Sequence, residues 1–578
     1  MCGIVGITAE KPFSVKGELI LALKKLEYRG YDSAGFATTE GVYDKEVGSI
    51  DVLESRINPK LKTTTGIAHT RWATHGGVTR VNAHPHFDSE KGLFIVHNGI
   101  IENYAQLKAQ LEERGYKFIT KTDTEVIVNY LHEKMKTMSP RQAILSFFKD
   151  AKGTYAVVFF RKGEKTLYAF KKDSPLCLGI CDGEMILASD IYAFSHKTTR
   201  TVFFEDYELA EVTPNNYQFY NRSGKLDKKP VEIEWEREPV MKRRFKHFML
   251  KEIYEQPVAA QRLIRSLRTT QSHRVKQISK MIKGAKRILF LACGTSYHAS
   301  LIGAYLLSRL GYEAHAVIAS EFENFSVIDN KTLVFAVSQS GETMDVISVL
   351  KDIKHYKPKI VAIVNYPYST VHRMADNYIE IMAGQEICVA ATKTFTNTLI
   401  AMYELARVLG NHISLDRIPA KIKEVISKND LRVRKLAKKL SNNKDIFVLG
   451  HRISYPIARE VALKLKEISY IHAEGMMAGE LKHGTIALVE PGVPVIGLIH
   501  ETNRERMESA LQEVEAHGAD VYTIGNSSKQ FELPKRLNEE EYSIAATIIG
   551  HLLSYYIARN NNLPIDKPRN LAKSVTVK

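Results

Sequence analysis

The sequence predicts an α+β amino-terminal half followed by two α/β subdomains that each contain a parallel sheet. Three observations support this prediction. The first 235 residues alternate short β-like runs with turn residues and contain few helical patterns. After about residue 250, apolar β runs alternate with helices of ten or more residues, which is typical of βαβ units. Finally, RILFLACGTSYHAS at 287–300 aligns with DIFVLGHRISYPIA at 445–458, which indicates an internal repeat.

The amino-terminal half is predicted to consist of sheets covered by a few helices. Its β-like runs are CGIVGIT, GIAHTRW, LFIVHNG, TYAVVFF, TLYAF, EMILAS and YELAEVT. Helical patterns lie between them near 15–27, 102–113 and 124–136. Residues 236–250 (EREPVMKRRFKHFML) are charged and irregular, so we expect a linker there and a first domain at 1–235.

The second half is predicted to contain two similar subdomains, at 251–420 and 421–558. In the first, the strands RILFLA, AVIA, TLVFAV and KIVAIV are each followed by a helical pattern. The repeated block gives both subdomains a buried strand, a glycine turn, a serine and a helix in the same order. Residues 559–578 contain two prolines and little apolar periodicity, which predicts an irregular tail that would ordinarily fray.

Composition and charge narrow the classes of partner. The 578-residue chain is 44% hydrophobic and has a formal net charge of +16, so nucleic acid, anionic membranes and phosphorylated metabolites are candidates. The densest basic cluster, at 242–246, lies in the expected linker, and no nucleic-acid-binding motif accompanies it. The sequence also lacks a secretion signal and an uninterrupted membrane-length apolar stretch. We therefore expect no nucleic-acid partner and no membrane insertion.

Cysteine usage favours a reducing cytoplasm. The five cysteines are too few and too scattered for a disulfide framework in a chain of this length. Cys177 and Cys181 are close in sequence, but no second Cys or His pair completes a metal site nearby. We expect these two residues to belong to the core, and we predict no metal.

Cys2 is the first candidate for chemistry. Removal of Met1 would leave a thiol and a free α-amine on one residue, so that a nucleophile and its base would share one carbon framework. An α-amine with a pKa of about 7.7–8.0 accepts a proton near neutral pH, whereas a thiol with a pKa of about 8.5 stays mostly protonated. This arrangement predicts amide chemistry. The alternative is that Cys2 is a small apolar residue at the start of a strand.

Two polar turns in the second half are candidate phosphate sites. In TLVFAVSQSGETMDV, hydroxyls and free backbone N–H groups lie between a strand and the positive end of a helix. The turn residues are Ser338, Gln339, Ser340, Gly341 and Thr343 here, and Cys293, Gly294, Thr295 and Ser296 after the first strand. Neither turn is a Walker A or a G-x-G-x-x-G motif, so a nucleotide is not indicated. Each alone could be a helix cap that binds nothing, but two in one sheet favour a ligand crevice.

A set of motifs extends over essentially the whole chain. In the first half these are CGIVGI, LEYRGYDSAG, GIAHTRWATHG, NAHPH, VHNGIIEN and TDTEV; in the second they are KEIYEQP, LACGTSY, SQSGET, TKTFT, ALKLKEISYIHAE, GELKHG and KPRNLAKSVTV. With these motifs the chain resembles the glutamine:fructose-6-phosphate aminotransferase family, the isomerising glucosamine-6-phosphate synthases. The resemblance implies a class II glutamine amidotransferase domain, which is a four-layer αββα sandwich of the Ntn-hydrolase type. It also implies two flavodoxin-like sugar-isomerase (SIS) subdomains.

The resemblance implies that the first half hydrolyses glutamine through Cys2. The thiol would attack the carboxamide and form a thioester. Asn98 and Gly99, in VHNG, would form the oxyanion hole, which should stabilise the tetrahedral intermediate by roughly a few kcal/mol. Taken singly, each of these residues also has an ordinary structural explanation, so the prediction depends on their joint occurrence.

The resemblance also implies which residues bind the glutamine molecule. Arg71 would pair with the α-carboxylate, because a planar guanidinium matches a carboxylate better than an ammonium does. Asp123 would hold the α-ammonium, although an aspartate there is also a good helix N-cap. Thr74 and His75 would provide further contacts, and Trp72 is similar to the family residue that gates ammonia passage.

For the second half, the resemblance implies imine chemistry on fructose 6-phosphate. Lys573 would form an imine with the C2 ketone, and Glu467 would move a proton between C1 and C2. Lys464 would stabilise the enolate-like charge, and His483 would open and close the sugar ring. Without the resemblance, the Lys464 and Glu467 pair would be interpreted as an exposed ion pair. The implied sugar-phosphate contacts are Cys293, Gly294, Thr295, Ser296, Ser338, Gln339, Ser340, Thr343, Val389 and Ala572.

The resemblance has further consequences for assembly and mechanism. It implies a cytoplasmic homodimer through the SIS half, with no cofactor. It also implies a dry ammonia passage with the tail as its wall, since ammonia in neutral water is almost wholly protonated and no longer nucleophilic. Ala391 and Thr485 depart from the Ser and Pro expected there, which puts one sugar hydrogen bond and one turn in doubt. The first half lacks a long insertion, so feedback by a nucleotide sugar is not implied.

Two other functions remain open on the sequence. The chain could supply ammonia to a different phosphosugar, or its second half could work as an amino-sugar deaminase or deglycase. A non-enzymatic phosphosugar-binding regulator is disfavoured, because Cys2, Arg71, Asn98 and Asp123 are all present.

Overall fold

The computed structural model of the protein describes residues 2–233, 242, 244–324, 327–525 and 530–575. These residues belong to two units, one within Met1–Pro239 together with Ser574–Lys578 and one within Val240–Lys573. Met1, whose removal is predicted, and residues 236–241 and 243 of the predicted linker lie outside the described residues.

The first unit is built on two antiparallel sheets. Its strands are β1 (Gly3–Ser14), β2 (Ser33–Thr38), β3 (Tyr43–Val47), β4 (Lys62–Arg71), β5 (His86–Phe87), β6 (Leu93–Ile101), β7 (Gly153–Arg161), β8 (Leu167–Lys172), β9 (Cys177–Cys181), β10 (Glu184–Ala188), β11 (Arg200–Phe203), β12 (Leu209–Val212), β13 (Tyr217–Asn221), β14 (Gly224–Leu226) and β15 (Val231–Glu232). Within the described residues, one sheet has eight strands in the order β15-β11-β9-β10-β1-β4-β2-β3. The other has seven, in the order β14-β13-β12-β8-β7-β6-β5.

Helices cover the outer faces of both sheets. They are α1 (Leu21–Lys24), α2 (Ile50–Arg56), α3 (Tyr104–Glu112), α4 (Thr124–Met135) and α5 (Pro140–Asp150), with a π-helical segment at Val15–Ile20 and 3₁₀ turns at Glu27–Arg29 and Ile191–Ala193. Helices α1 and α2 contact the eight-stranded sheet, and α4 contacts the seven-stranded sheet and packs against α3 and α5.

The alternation of side chains along β6 explains why the two sheets pack face to face. Successive residues of a strand point to opposite faces of its sheet. Phe94 and Val96 lie in the core between the sheets with Ile67 of β4, whereas Ile95 lies with Tyr155 in the core beneath the helices. The result is the predicted four-layer αββα sandwich, and the α+β prediction is confirmed.

The second unit contains two parallel sheets. Its strands are β16 (Arg287–Ala292), β17 (Ala314–Ile318), β18 (Thr332–Ser338), β19 (Lys359–Val364), β20 (Asn377–Glu380), β21 (Asp445–Gly450), β22 (His472–Met477), β23 (Pro494–Ile499) and β24 (Asp520–Gly525). Among the described residues, the first sheet has the order β17-β16-β18-β19-β20 and the second the order β22-β21-β23-β24. The first is the strand order of flavodoxin-like folds, and its switch point lies between β16 and β18. The predicted α/β class is therefore confirmed.

Helices alternate with these strands. They are α6 (Phe248–Arg268), α7 (Ser272–Gly284), α8 (Gly294–Arg309), α9 (Met344–Ile353), α10 (Thr370–Met374), α11 (Lys393–Val408), α12 (Ile418–Leu440), α13 (Ser454–Lys464), α14 (Arg504–Ala516) and α15 (Glu539–Asn560). Short 3₁₀ segments lie at Ala319–Asn324, Lys354–Tyr356, Ala478–His483, Thr485–Leu488 and Glu501–Asn503, and a π-helical segment at Leu465–Ser469 continues α13.

The predicted tail is irregular but anchored. Helix α15 extends to Asn560, and no helix or strand follows in the described residues up to 575. The carboxylate of Asp566 accepts hydrogen bonds from the first two backbone N–H groups of α6, those of Phe248 (2.9 Å) and Met249 (3.0 Å). A negative charge at a helix amino terminus is stabilising, because it satisfies N–H groups that have no partner within the helix. The tail therefore caps α6 instead of fraying.

Candidate functional site

Cys2 lies where three strands of the first unit come together. It directly precedes β1, which pairs with β4 so that Gly3 is opposite Thr70. The Cys2 thiol consequently lies beside the end of β4, and the backbone N–H of Trp72 donates to its Sγ at 3.4 Å. Burial raises the pKa of the Cys2 thiol. The sulfur is thus held in position but is not activated by its surroundings alone, which is consistent with a need for a separate base.

Asn98 and Gly99 lie next to Cys2 on β6. The side-chain Nδ2 of Asn98 donates to the Cys2 carbonyl oxygen at 2.9 Å. Gly99 has a φ of 124°, and a Cβ at this position would overlap the carbonyl oxygen of Thr154 on β7. Only glycine fits here, because it has no side chain to clash and tolerates a positive φ. The structure therefore brings the predicted nucleophile and the predicted amide donor into contact.

The predicted glutamine-binding residues lie around the same strand ends. The guanidinium of Arg71, the last residue of β4, donates to three successive carbonyl oxygens, those of His75, Gly76 and Gly77. Asp123 is 4% exposed, and its Oδ2 accepts from the backbone N–H of Ile101 on β6 at 2.8 Å. Arg71 thus shapes the loop that follows β4, and Asp123 is tied to the strand that carries Asn98.

The other three residues of this group differ in exposure. Trp72 and His75 are half-buried, whereas Thr74 is exposed. Nδ1 of His75 is buried without a hydrogen-bond partner among the described residues, and its ring packs edge-on against Tyr104 at 5.6 Å between centroids. The backbone N–H of Ala73 donates to Asp32 Oδ2 at 2.9 Å, which fixes the chain between Trp72 and Thr74.

In the second unit, the two polar turns meet at one edge of the first sheet. Strands β16 and β18 are parallel neighbours, so the turns after Ala292 and Ser338 flank the switch point, where ligands bind in folds of this type. Oγ of Ser338 lies 2.8 Å from Oγ1 of Thr343 and accepts the backbone N–H of Gly341 at 3.0 Å. The hydroxyl groups predicted to hold a phosphate are therefore already gathered at the start of α9.

Lys464 is the centre of a buried charged cluster near the first of these turns. Its ammonium donates to Glu467 (2.6 Å) and to Thr295 Oγ1 (3.0 Å) and lies 3.2 Å from Glu460. Burial opposes the charged form of Lys464, but the two carboxylates outweigh it and raise its pKa. Burial raises the pKa of Glu467, although Lys464 works against this shift. The pair is not the exposed ion pair of the alternative interpretation, since the Lys464 side chain has no exposed surface.

Lys573 is also buried. Its side chain is 3% exposed and its Nζ lies 2.5 Å from Oε2 of Glu386, a carboxylate with no exposed surface. Burial favours the neutral form of Glu386, but Lys573 and the hydroxyl of Thr394 lower its pKa to about 2. In the neighbouring segment, the backbone N–H of Val389 donates to the Asp566 carbonyl oxygen at 3.2 Å, which joins this segment to the tail that carries Lys573.

The remaining predicted residues of the second half differ in exposure. His483 is exposed at the end of a 3₁₀ segment. Gln339, Ser340 and Ala572 are half-buried. A cavity of about 580 Å³ opens beside Gly294, and its lining includes His298, Arg459 and Lys466.

Sequence reasoning missed several residues that the structure places at these sites. Glu460 contacts Lys464, His298 (2.8 Å) and Thr295 (3.1 Å). Its spacing of four residues before Lys464 on one helix was a usable signal. Glu386, in contrast, is 187 residues away from Lys573, and no local pattern could have linked the two.

In the parts of the chain that the structure describes, no group of three or more His, Cys, Asp or Glu side chains is arranged to hold a metal ion. None of the described helices combines the length and apolarity that crossing a bilayer requires. None of the five cysteines forms a disulfide bond.

Comparison with known proteins covers the whole chain. A family profile described as a glutamine amidotransferase domain matches residues 69–196, and one described as a SIS domain matches 281–407 and 439–531. The chain is 40% identical over 607 residues to the glutamine–fructose-6-phosphate aminotransferase (isomerizing) of Pyrococcus horikoshii, and 41% identical over 604 residues to that of Aquifex aeolicus. Each alignment covers 100% of both chains.

A solved structure matches the second unit. The C-terminal domain of glucosamine-fructose-6-phosphate aminotransferase from Francisella tularensis is 31% identical, with a TM-score of 0.52. The match covers 57% of this chain and 100% of that one.

Proposed function

The chain belongs to the family of isomerizing glutamine–fructose-6-phosphate aminotransferases, and from this premise we propose that it makes D-glucosamine 6-phosphate and L-glutamate from L-glutamine and D-fructose 6-phosphate. The observation that carries this proposal is that one chain contains two preformed sites of complementary chemistry. The first has a thiol beside an amide donor, and the second has a buried lysine and carboxylate cluster beside a hydroxyl-rich turn.

In the proposed first half-reaction, Cys2 attacks the carboxamide carbon of glutamine. The α-amine that removal of Met1 exposes takes the thiol proton, and ammonia leaves as the thioester forms. Asn98 Nδ2 and the Gly99 N–H stabilise the negative charge on the oxygen. Water then hydrolyses the thioester to glutamate.

Five residues are proposed to bind glutamine in this step. Arg71 binds the α-carboxylate, for which a guanidinium offers two parallel donors. Asp123, whose carboxylate is buried, holds the α-ammonium. Thr74 and His75 make further contacts, and Trp72 covers the path of the released ammonia.

In the proposed second half-reaction, the sugar is held by the two turns and opened by His483. Lys573 forms an imine with C2 and releases water, and the incoming ammonia replaces the lysine amine. Glu467 then moves a proton from C1 to C2, for which its raised pKa suits it, because a stronger base accepts the proton more readily. The ammonium of Lys464 stabilises the negative charge that develops on the oxygen. Cys293, Gly294, Thr295, Ser296, Ser338, Gln339, Ser340, Thr343, Val389 and Ala572 are proposed to line this sugar-phosphate site.

The organisation proposed from the resemblance accompanies this function. We propose an amidotransferase domain at 1–235, a linker at 236–250, SIS subdomains at 251–420 and 421–558, and a tail at 559–578 that contributes to the second site. A homodimer through the SIS half and a cytoplasmic location are also proposed.

Product identification tests the proposed reaction directly. The full-length chain is incubated with glutamine and fructose 6-phosphate, together and separately, and the products are identified by mass spectrometry. We expect an amino sugar phosphate only when both substrates are present, with one glutamate for each amino sugar. Glutamate formation without any amino sugar would favour a different phosphosugar acceptor, and release of ammonia from glucosamine 6-phosphate as the main activity would favour a deaminase.

A further inference from the structure

The side-chain amide of Asn98 has a single orientation in the first unit. The Cys2 carbonyl oxygen can only accept a hydrogen bond, so the Asn98 atom that lies 2.9 Å from it is Nδ2. Oδ1 of Asn98 therefore points away from Cys2, and it lies 3.1 Å from Nε2 of His69 on β4. Because Oδ1 can also only accept, His69 carries its ring hydrogen on Nε2.

A second acceptor fixes the same tautomer. The carbonyl oxygen of His97 lies 3.0 Å from Nε2 of His69, so two oxygen atoms face this one nitrogen. The opposite tautomer would direct a lone pair at both oxygens. The His69 side chain is fully buried, and burial lowers its pKa to about 3. The ring is therefore neutral, and only one of its two nitrogen atoms carries a hydrogen. Its Nδ1 is buried without a hydrogen-bond partner among the described residues.

Neighbouring rings hold His69 in place. The His69 and His84 rings pack with their centroids 4.0 Å apart. Oγ1 of Thr124 lies 2.9 Å from Nε2 of His84 and 2.9 Å from Nδ1 of His97, so one hydroxyl ties the two other rings together. The donor that reaches Asn98 therefore belongs to a rigid, buried group and not to a mobile side chain.

We propose that His69 is a positioning residue that keeps Nδ2 of Asn98 directed toward Cys2. The inference rests on the proposed function, which assigns Asn98 to the oxyanion hole. Without the His69 donor, the amide can rotate by half a turn, and Oδ1 would then face the oxygen on which negative charge develops. A donor that stabilises the transition state would be replaced by an acceptor that repels it.

Two variants of His69 in the full-length chain distinguish the effect of the hydrogen bond on kcat from the effect of the ring volume. His69→Phe keeps a ring but removes the donor, and His69→Gln keeps an amide donor near the position of Nε2. We expect His69→Phe to lower kcat for glutamine hydrolysis by about 10²-fold, with KM for glutamine changed by less than about threefold, since the loss of one oxyanion donor has an effect of this size. The kcat of His69→Gln should be at least about tenfold higher than that of His69→Phe.

Two controls distinguish positioning from a general effect on folding. His86→Phe alters a ring in the same cluster whose Nε2 contacts Thr122 and not Asn98, so it should leave kcat close to that of the unaltered chain. In an Asn98→Ala background, His69→Phe should cause no further loss of kcat, because no amide remains to be oriented. Thermal denaturation reports whether each variant folds, and if His69→Phe does not fold, His69→Asn, whose amide is too short to reach Asn98, takes its place.

The outcomes separate this inference from the function on which it rests. If the unaltered chain does not hydrolyse glutamine, the proposed function fails. If it does, the inference is overturned by a His69→Phe variant with unreduced kcat, by an equal loss in His86→Phe, or by the same fold-loss with and without Asn98.

Discussion

Lys573 illustrates how the fold determines the state of a single residue. A lysine side chain is almost never fully buried unless it is paired. Here the pairing partner is Glu386, which also accepts hydrogen bonds from the backbone N–H of Thr392 (2.9 Å) and the hydroxyl of Thr394 (2.7 Å). Both charges are therefore satisfied, and the amine is kept in one place.

Replacing Glu386 should destabilise the second unit strongly. Glu386→Gln leaves the buried ammonium of Lys573 without a counter-charge, and the removal of one partner of a buried pair costs about 3–5 kcal/mol. Urea denaturation at neutral pH, followed by a signal from the second unit, measures this loss.

An exposed ion pair provides the matched control. Glu313→Gln removes the partner of Arg287, and because the Glu313 side chain is 44% exposed, the expected loss is only about 0–1 kcal/mol. Similar losses in the two variants would contradict the view that burial makes the Glu386 pair important.

The residue types at the site could be predicted from the sequence, but their environments could not. The spacing of Lys464 and Glu467 predicts that they face each other, and they do so at 2.6 Å. Sequence alone could not show that this pair is buried, because burial depends on segments far away in the chain. The same holds for His69, whose contact with Asn98 depends on how β4 faces β6.

At the scale of elements, helix α6 supports the segment that precedes α11. Glu252 on α6 is fully buried, and its Oε1 accepts from the backbone N–H of Ile387 at 2.6 Å and of Cys388 at 3.3 Å. Burial and the negative charge of Glu386 raise the pKa of Glu252 to about 8. At neutral pH it is therefore a largely protonated acid that links two elements.

Glu252→Gln should change how stability depends on pH. In the unfolded chain this carboxyl has a pKa of about 4.3, so between pH 4.3 and about 8 the unfolded state releases a proton that the folded state keeps. Stability therefore falls as the pH rises across this range. The glutamine variant lacks this dependence, so its melting temperature relative to the unaltered chain should increase from about pH 5 to pH 8.

The control for this prediction lies on the same helix. Lys393 and Lys251 lower the pKa of Glu255 despite partial burial, so both its folded and unfolded pKa values lie below pH 5. The melting temperature difference caused by Glu255→Gln should be constant from about pH 5 to pH 8. A constant difference for Glu252→Gln as well would rule out a protonated Glu252 in the folded state.

The β6–β7 pairing depends on Gly99 in a way that a single substitution can measure. Gly99→Ala introduces a Cβ that overlaps the Thr154 carbonyl oxygen, in addition to backbone strain of about 1–3 kcal/mol at a positive φ. Gly115→Ala has a positive φ of 88° but open space around it, so it should cost the strain alone. Denaturation of both variants gives the cost of the overlap by difference, and equal losses would mean that β7 can move to accommodate the methyl group.

Most elements could be predicted from periodicity, and the exceptions have identifiable causes. The alternation of strands and helices predicts the parallel sheets, since each apolar run is bounded by turn residues. The segment Leu465–Ser469 is π-helical, which the helical pattern around it does not reveal. Val15–Ile20 is likewise π-helical within a range predicted as an ordinary helix. The position of the tail is set by Asp566, a single residue whose partners lie more than 300 residues earlier.

On the scale of the whole molecule, two units with separate cores carry the two proposed half-reactions. The core of the first unit lies between and beneath its antiparallel sheets, and that of the second surrounds its parallel sheets. Each unit holds its own proposed reactive group, Cys2 in the first and Lys573 in the second. The two half-reactions should therefore be separable by single substitutions, one in each unit.

Complementary variants test this separation. Cys2→Ala should abolish glutamine hydrolysis but leave the conversion of fructose 6-phosphate to its aldose isomer unchanged. Lys573→Met, which keeps the length of the side chain, should abolish that conversion and leave glutamine hydrolysis without added sugar unchanged. Coupled assays for glutamate and glucose 6-phosphate measure both activities in each variant, and loss of both activities in either one would contradict independent sites.

The cap that Asp566 places on α6 has a consequence for biosynthesis. The hydrogen bonds to Phe248 and Met249 span 318 and 317 positions of sequence, so the helix that begins the second unit obtains its amino-terminal partner from almost the end of the chain. Contacts between such distant positions form late and slow the search for the native state. During translation, the two antiparallel sheets of the first unit can form before synthesis of the chain ends, whereas α6 in the second unit obtains its cap only after residue 566 has been synthesised.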